Sequence, residues 1–222
     1  MAQRWATFDC YGTLIDWNGG ILREFERLFG VENAPRLLER YHEVEPEIQE
    51  DSSLPYRSVQ TEALIRLAEE ERLAIPEGES DALAKALPDW APFPEVHDAL
   101  AEVRRRGWNL VILSNTDRDL IEASMRRIGV PFEFAIVAGE IGSYKPAHAH
   151  WEQFFGNTTA ERDQHVHVAA SLFHDIAPAR ELELKTVWIN RLDEIGTPGV
   201  RPDRELPDLA GLPNTLDELV PQ

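Results

Sequence analysis

The chain has 222 residues, 43% of them hydrophobic and 28% charged, enough apolar material for one large domain or a core with a smaller insert. Asp and Glu number 40 against 22 Lys and Arg, a formal charge of −18, which argues against nucleic acid or an anionic membrane surface as a partner. A single cysteine, Cys10, excludes an intrachain disulfide and, in its apolar setting, is expected to be a buried small residue.

Trp5-Ala6-Thr7-Phe8 is a short apolar run that halts at Asp9-Cys10-Tyr11-Gly12-Thr13, the pattern of a buried strand running into a polar loop. From Ile21 to about Trp90 the periodicity is helical. Ile21, Phe25, Leu28 and Phe29 share one face, Leu37, Tyr41, Val44 and Ile48 a second, and Val59, Ala63, Leu64 and Leu67 a third, with Ala82, Leu83 and Leu87 suggesting a fourth helix. Pro55, Pro76 and Pro88 punctuate the block.

The texture changes after Pro92. A helix through Val96, Leu100 and Val103 stops at Gly107, and Asn109–Leu113 is a continuous apolar strand running into Ser114 and Asn115. A helix through Ile121, Met125 and Ile128 follows. Strands are predicted at 134–137, 165–169 and 186–189, with helices around 152–155 and 176–182. The tail after Arg191, rich in Pro and Asp, is expected to be mostly irregular surface.

Apolar strands alternating with helices imply an α/β fold whose parallel sheet is covered on both faces. The early helical block interrupts that alternation. The expected division is a core of residues 1–16 and 92–222 with a helical cap of 17–91 inserted after the first strand. No run of 18 apolar residues and no long leader are seen. A cytoplasmic protein with no membrane partner is the expectation, and the exposed cap could support a homodimer.

Ligands bind beyond the carboxyl ends of strands in open parallel sheets. The polar residues following the predicted strands are therefore the candidates: Asp9, Tyr11 and Thr13; Ser114 and Asn115; Lys145 after the third strand; Ser171, His174 and Asp175 after the fourth. Asp9 is a candidate covalent nucleophile. Lys145 would keep it ionised and stabilise developing negative charge. Thr13, Ser114 and Asn115 supply hydrogen-bond donors, and Asp175 could hold the lysine or orient water. Each residue alone also fits a turn or a helix cap; the joint pattern favours a site.

These residues resemble the motifs of the haloacid dehalogenase superfamily. Phe8-Asp9-Cys10-Tyr11-Gly12-Thr13-Leu14 is similar to the first motif, Leu113-Ser114-Asn115-Thr116 to the second, Lys145-Pro146 to the third, and the stretch Val168–Ile176 ending in His174-Asp175-Ile176 to the fourth. The resemblance spans nearly the whole chain. It implies a doubly wound, Rossmann-like core with an inserted cap, and hydrolysis through an aspartyl-ester on Asp9. Tyr11 stands where phosphatases of the superfamily carry an acid that protonates a leaving oxygen, and Ala170 where they place a magnesium-binding Asp. Both departures point to the L-2-haloacid dehalogenase branch, to a small anionic acid as substrate, and to no metal or other cofactor.

That branch implies a cap arginine gripping the substrate carboxylate. Arg40 is the candidate, with Tyr41 and His42 as its neighbours if the alignment slips. Trp151 stands where the branch often has Tyr, while Ala170 and Leu172 depart from its Ser and Asn. His174 is either a solvated helix histidine or a base for the hydrolytic water. The alternatives are a magnesium-dependent small-molecule phosphatase, a non-catalytic descendant, and a hydrolase of another activated small molecule.

Overall fold

The computed structural model describes residues 3–50 and 54–221. Its centre is a six-stranded sheet formed by β1 (Arg4–Phe8), β2 (Trp108–Ser114), β3 (Phe134–Val137), β4 (His165–Ala169), β5 (Lys185–Ile189) and β6 (Arg204–Leu206), in the order β3-β2-β1-β4-β5-β6. All five pairings are parallel. The chain leaves β1 toward β2 on one side and adds β4 on the other, so the strand order switches at β1. That opens a crevice at the carboxyl ends of β1 and β4.

Alternation along the strands divides the core in two. Ala6, Phe8, Leu110 and Ile112 face α5 (Val96–Arg105), α6 (Arg118–Ile128) and α10 (Leu212–Leu219). Trp5, Val111 and Leu113 face α8 (Ala149–Asn157) and α9 (Ala177–Glu181), where Trp151, Phe154 and Ala179 are fully buried. A short α7 (Ala138–Ile141) follows β3. The α/β fold read from the sequence is the fold observed.

Beyond β1 the chain passes into the helical block through Leu14–Asp16 and returns through Ala91–Phe93. The two segments run antiparallel, with Asp16 N–H donating to Ala91 O at 2.9 Å and Phe93 N–H to Leu14 O at 3.0 Å. Between them lie α1 (Trp17–Phe29), α2 (Ala34–Glu50), α3 (Tyr56–Glu70) and α4 (Ala82–Ala86). Asp16 caps α1, its Oδ1 accepting from Gly19 N–H at 2.9 Å. Gly20 lets α1 lie on Trp90: a Cβ there would stand 2.3 Å from the ring. Leu37, Tyr41 and Val44 of α2 and Val59, Ala63 and Leu67 of α3 form the apolar seam of the block. Asp117 of the core takes the start of α3, its two oxygens accepting from Tyr56 N–H (3.0 Å) and Arg57 N–H (3.1 Å).

Two expectations change. The tail is not merely irregular: it adds β6 to the sheet edge and α10 to one face, burying Leu209, Leu212, Leu216 and Val220. Arg4 at the start of β1 anchors it through Asp217 at 2.6 Å. The helix expected at 176–182 begins earlier, as a π-helical turn over Leu172–Ile176 that runs into α9. No helix among the described residues is long and apolar enough to cross a membrane.

Candidate active site

Asp9 ends β1, held there by its N–H to Val168 O at 3.1 Å. The loop that follows turns back on itself: Leu14 N–H and Ile15 N–H both reach Cys10 O, and Gly12 adopts φ +86°, a conformation that favours glycine. The turn brings Thr13 Oγ1 to donate to Asp9 Oδ2 at 2.8 Å while accepting from Ala170 N–H at 2.9 Å. One threonine hydroxyl thus ties the ends of β1 and β4 together. Cys10 is fully buried, as expected, and burial pushes its thiol pKa well up.

Lys145 enters from the segment after β3. Its Nζ donates to Asp9 Oδ1 (2.9 Å), Asp175 Oδ1 (2.6 Å) and Leu113 O (2.8 Å), so all three ammonium protons are used. Asn115 aligns this segment with a paired bond, Lys145 N–H to Oδ1 at 2.7 Å and Nδ2 to Lys145 O at 2.9 Å. The other Nδ2 proton reaches Gln49 Oε1 of α2 at 3.3 Å. Both Asn115 amide protons are therefore engaged within the protein. Ser114 Oγ, by contrast, is buried beside the cavity with no partner among the described residues.

The charges are unequal in setting. Burial pushes the Asp9 carboxyl above its ordinary value, Lys145 pulls it down, and Asp175 adds to the rise. The sequence led us to expect Lys145 to dominate; at this depth desolvation outweighs it. For Asp175 burial also opposes ionisation, but Lys145 and His167 prevail and hold it at about 2. Lys145 itself stands above its ordinary value: burial opposes its charge, and Asp175 and Asp9 outweigh burial. One ammonium thus serves two carboxylates.

A cavity of about 860 Å³ opens above this triad. Its core side includes Asp9, Tyr11, Ser114, Asn115, Lys145, Ser171, His174, Asp175 and Arg191, and α1, α2 and α3 contribute Trp17, His42, Glu45, Gln49 and Tyr56. Tyr11 stacks on Tyr56 at 6.3 Å, its hydroxyl 3.1 Å from Ser124 Oγ. Burial pushes that phenol well up, so it stays protonated. Ser171 Oγ accepts from His174 N–H at 3.0 Å and lies 3.2 Å from His174 Nδ1, so both line the cavity as one unit. His42 stacks on Trp17 at 5.3 Å and lies 2.9 Å from Asn18 Oδ1.

Three residues expected at the substrate lie away from the cavity. Arg40 points outward, 40% exposed, paired with Glu43 and Glu70. The α2 residues on the cavity are His42, Glu45, Pro46 and Gln49, and Arg40 lies roughly 200° of helix from His42. Tyr41 turns into the seam, fully buried against Trp17 and Phe25. Trp151 lies under the sheet with its ring 5.1 Å from His167, away from the rim. The cavity is also lined by residues not singled out from the sequence: Glu45, Gln49 and Tyr56 from the helical block, and Arg191 and Glu95 beside the sheet. Arg191 donates to Thr13 O (2.8 Å) and Glu95 (2.7 Å) and lies 3.6 Å over the Phe93 ring.

The donors present do not suit magnesium. Asp9 has one oxygen bonded to Lys145 and the other to Thr13. Ala170, where an acid would be needed, offers only a carbonyl, and that accepts from Trp188 Nε1 at 2.8 Å. Among the described residues no group of three or more His, Cys, Asp or Glu is placed to hold a metal ion.

A family model described as haloacid dehalogenase-like hydrolase matches residues 4–180, and the chain belongs to that family of hydrolases. It is 25% identical over 223 residues to (S)-2-haloacid dehalogenase 4A of Burkholderia cepacia, across 98% of this chain and 94% of that protein. It is 30% identical over 152 residues to haloacetate dehalogenase H-2 of Moraxella sp. (strain B), across 64% of this chain and 66% of that one. In fold it is similar to the L-2-haloacid dehalogenase of Xanthobacter autotrophicus, solved with chloropropionic acid covalently bound. The TM-score is 0.84 at 18% identity, over 96% of this chain and 98% of that one.

Proposed function

We propose that the protein hydrolyses a small activated substrate through an ester on Asp9, with hydrolytic dehalogenation of a 2-haloacid as the reaction the site supports best. The observation that carries this reading is the Asp9 carboxylate at the cavity floor, fixed by Lys145 on one oxygen and Thr13 on the other. Tyr11 and Ala170 weigh in the same direction. A halide leaves without a proton and without a metal, and neither residue supplies one. The names of the relatives support the same class.

Asp9 attacks the carbon bearing the halogen. A carbon–oxygen bond forms, the carbon–halogen bond breaks, and halide leaves with the electron pair; the Ser114 hydroxyl on the cavity wall, without a partner among the described residues, is the donor assigned to it. Water then attacks the Asp9 carbonyl carbon and gives its proton to Asp175, or to His174 on the same rim. The ester bond from that carbon breaks, its oxygen takes the proton back from Asp175 or His174 as the hydroxy acid departs, and the second proton of the water leaves to solvent. Asp9 is restored with one oxygen from water. Lys145 stabilises the charge that moves between the substrate and Asp9. The cap excludes bulk water.

One observation favours a second substrate type within the same chemistry. Among the described residues the cap wall offers the buried carboxyl of Glu45 and no guanidinium, since Arg40 faces outward, and the arginine on the core side of the cavity, Arg191, is already paired with Glu95. A neutral activated substrate such as a 2-haloamide fits that wall better than an anion. Halide release measured on 2-haloacids and 2-haloamides, beside phosphate release from small esters, separates these readings. Turnover in oxygen-18 water with limiting substrate tests the shared step: label should appear in the Asp9 peptide, and an unlabelled peptide contradicts the ester.

A further inference from the structure

Beneath the site runs a buried line of polar side chains that the reaction above does not use. His165 and His167 alternate along β4 with Val166 between them, and Thr7 of β1 sits in register with His167. All three are fully buried. Thr7 Oγ1 lies 2.8 Å from His165 Nε2 and 2.8 Å from His167 Nδ1, and His167 Nε2 lies 3.0 Å from Asp175 Oδ1.

Counting protons gives the line a direction. Asp175 is a carboxylate and only accepts, so His167 Nε2 carries a proton. In a neutral ring Nδ1 is then a lone pair and takes the Thr7 O–H. Thr7 has no second proton, so its oxygen accepts from His165 Nε2–H. That leaves His165 Nδ1 as a lone pair, and it is indeed buried without a partner among the described residues. The reverse order needs a charged His167 beside Lys145, and it leaves His165 Nδ1 as a buried N–H with no acceptor. An orphaned N–H is costlier than an orphaned acceptor. Burial also pushes His165 well below its ordinary range, consistent with a neutral ring.

We propose that His167 is a positioning residue for Asp175. The one-way chain His165 to Thr7 to His167 fixes Oδ1 from below while Lys145 fixes it from the side; Asp175 lines the cavity, and its other oxygen, Oδ2, is the one assigned to receive the proton of the hydrolytic water. Without His167, Lys145 could follow either oxygen as the carboxylate turns about its last torsion. The orientation needed for the second step would then be lost. The inference rests on the aspartyl-ester reading, and it assigns His167 to breakdown of the ester rather than to its formation.

Two measurements test it. In 15N-histidine spectra of the wild-type protein at neutral pH, His165 and His167 should both be neutral with the proton on Nε2. A charged His167, or one protonated on Nδ1 alone, overturns the proposal. With (S)-2-chloropropionate, rapid quenching and mass analysis of the Asp9 peptide should show ester accumulating in H167L. Ester hydrolysis should be slowed about 10- to 100-fold and formation held within about 2-fold. H167Q, whose amide N–H can replace Nε2–H, should recover much of the hydrolysis rate. Both steps slowed equally, or hydrolysis unchanged, overturns the proposal. Absence of ester in both the wild type and H167L, with no solvent oxygen-18 entering the Asp9 peptide, would instead sink the aspartyl-ester reading, and the 15N spectra then decide separately whether the chain to Asp175 runs in the direction given.

Discussion

Asp9 and Lys145 stand 136 positions apart in the sequence and 2.9 Å apart in the fold. The pair is not a simple one, because the same Nζ serves Asp175 at 2.6 Å, and both Lys145 and Asp175 are almost wholly buried. Removing the ammonium leaves two carboxylates facing each other in a poorly solvated pocket. K145M should therefore abolish turnover and cost about 3–5 kcal/mol at pH 7, the usual result of taking one partner from a buried ion pair. The deficit should shrink toward pH 5, because orphaned carboxylates can take up protons. In the wild type Asp175, held at about 2, contributes stability that is present above its ordinary value of 3.8 and is lost as pH falls through 2. Urea unfolding of both proteins at pH 7 and pH 5 checks this; a deficit independent of pH would contradict it.

The nucleophile can be tested with a side chain of the same shape. D9N removes the attacking oxygen anion; its single amide oxygen can accept from Lys145 or from Thr13 but not from both. Halide release should fall at least about 1,000-fold, with the folded state retained by circular dichroism. Near-normal turnover in D9N would remove the ester from the mechanism.

Arg40 gives the opposite expectation. Its guanidinium is 40% exposed and lies among Glu43, Glu70 and Glu71. Pairs at such exposure are screened by water and contribute little to stability. R40A should change kcat/KM for a 2-haloacid by less than about 2-fold and leave the urea midpoint essentially where it is. A rise in KM of tenfold or more would show that the side chain reaches the substrate after all.

The contrast between Asp9 and Arg40 explains what the sequence discloses. Asp9, Thr13, Lys145 and Asp175 are legible because each follows an apolar run, and an open parallel sheet brings strand ends to one rim whatever the loops do. The phase of α2 is not legible. Tyr41 and Val44 mark the buried seam, but the opposite arc mixes acids and bases without a break, so nothing local says that Glu45 faces the cavity and Arg40 faces water. β6 has only three residues, two of them exposed, and carries no apolar signal. His165 and His167 do carry one: alternate polar residues in an otherwise apolar buried strand. It is a faint signal, because the valines and alanine around the two rings make the run as a whole look like core.

Asp117 links the helical block to the core by accepting from two backbone N–H groups at the start of α3, Tyr56 at 3.0 Å and Arg57 at 3.1 Å. D117A removes both acceptors and a negative charge at a helix N-terminus, a loss of about 1–2 kcal/mol. Amide hydrogen exchange at Tyr56 and Arg57 should accelerate more than at residues in the middle of α3. Exchange unchanged at these two positions would show that the start of α3 is held by other contacts.

Glu45 makes pH a probe of the cap wall. Burial pushes its carboxyl up to about 7, against the donors of Gln49 and Tyr56, which pull it down. The folded state thus favours the protonated form. Its stabilising contribution is full below the ordinary value of 4.5 and is lost as pH rises through 7. The wild type should lose stability between pH 5 and pH 7, and E45Q, neutral and similar in shape, should be flatter across that window and more stable at pH 8. The same charge lies on the substrate's side of the cavity. KM for an anionic 2-haloacid should therefore rise with pH through 7 in the wild type and stay level in E45Q, while a neutral 2-haloamide should show no such rise in either protein. Stability and KM that are independent of pH in the wild type would mean that Glu45 is ionised throughout and that the cap wall does not discriminate by charge in this way.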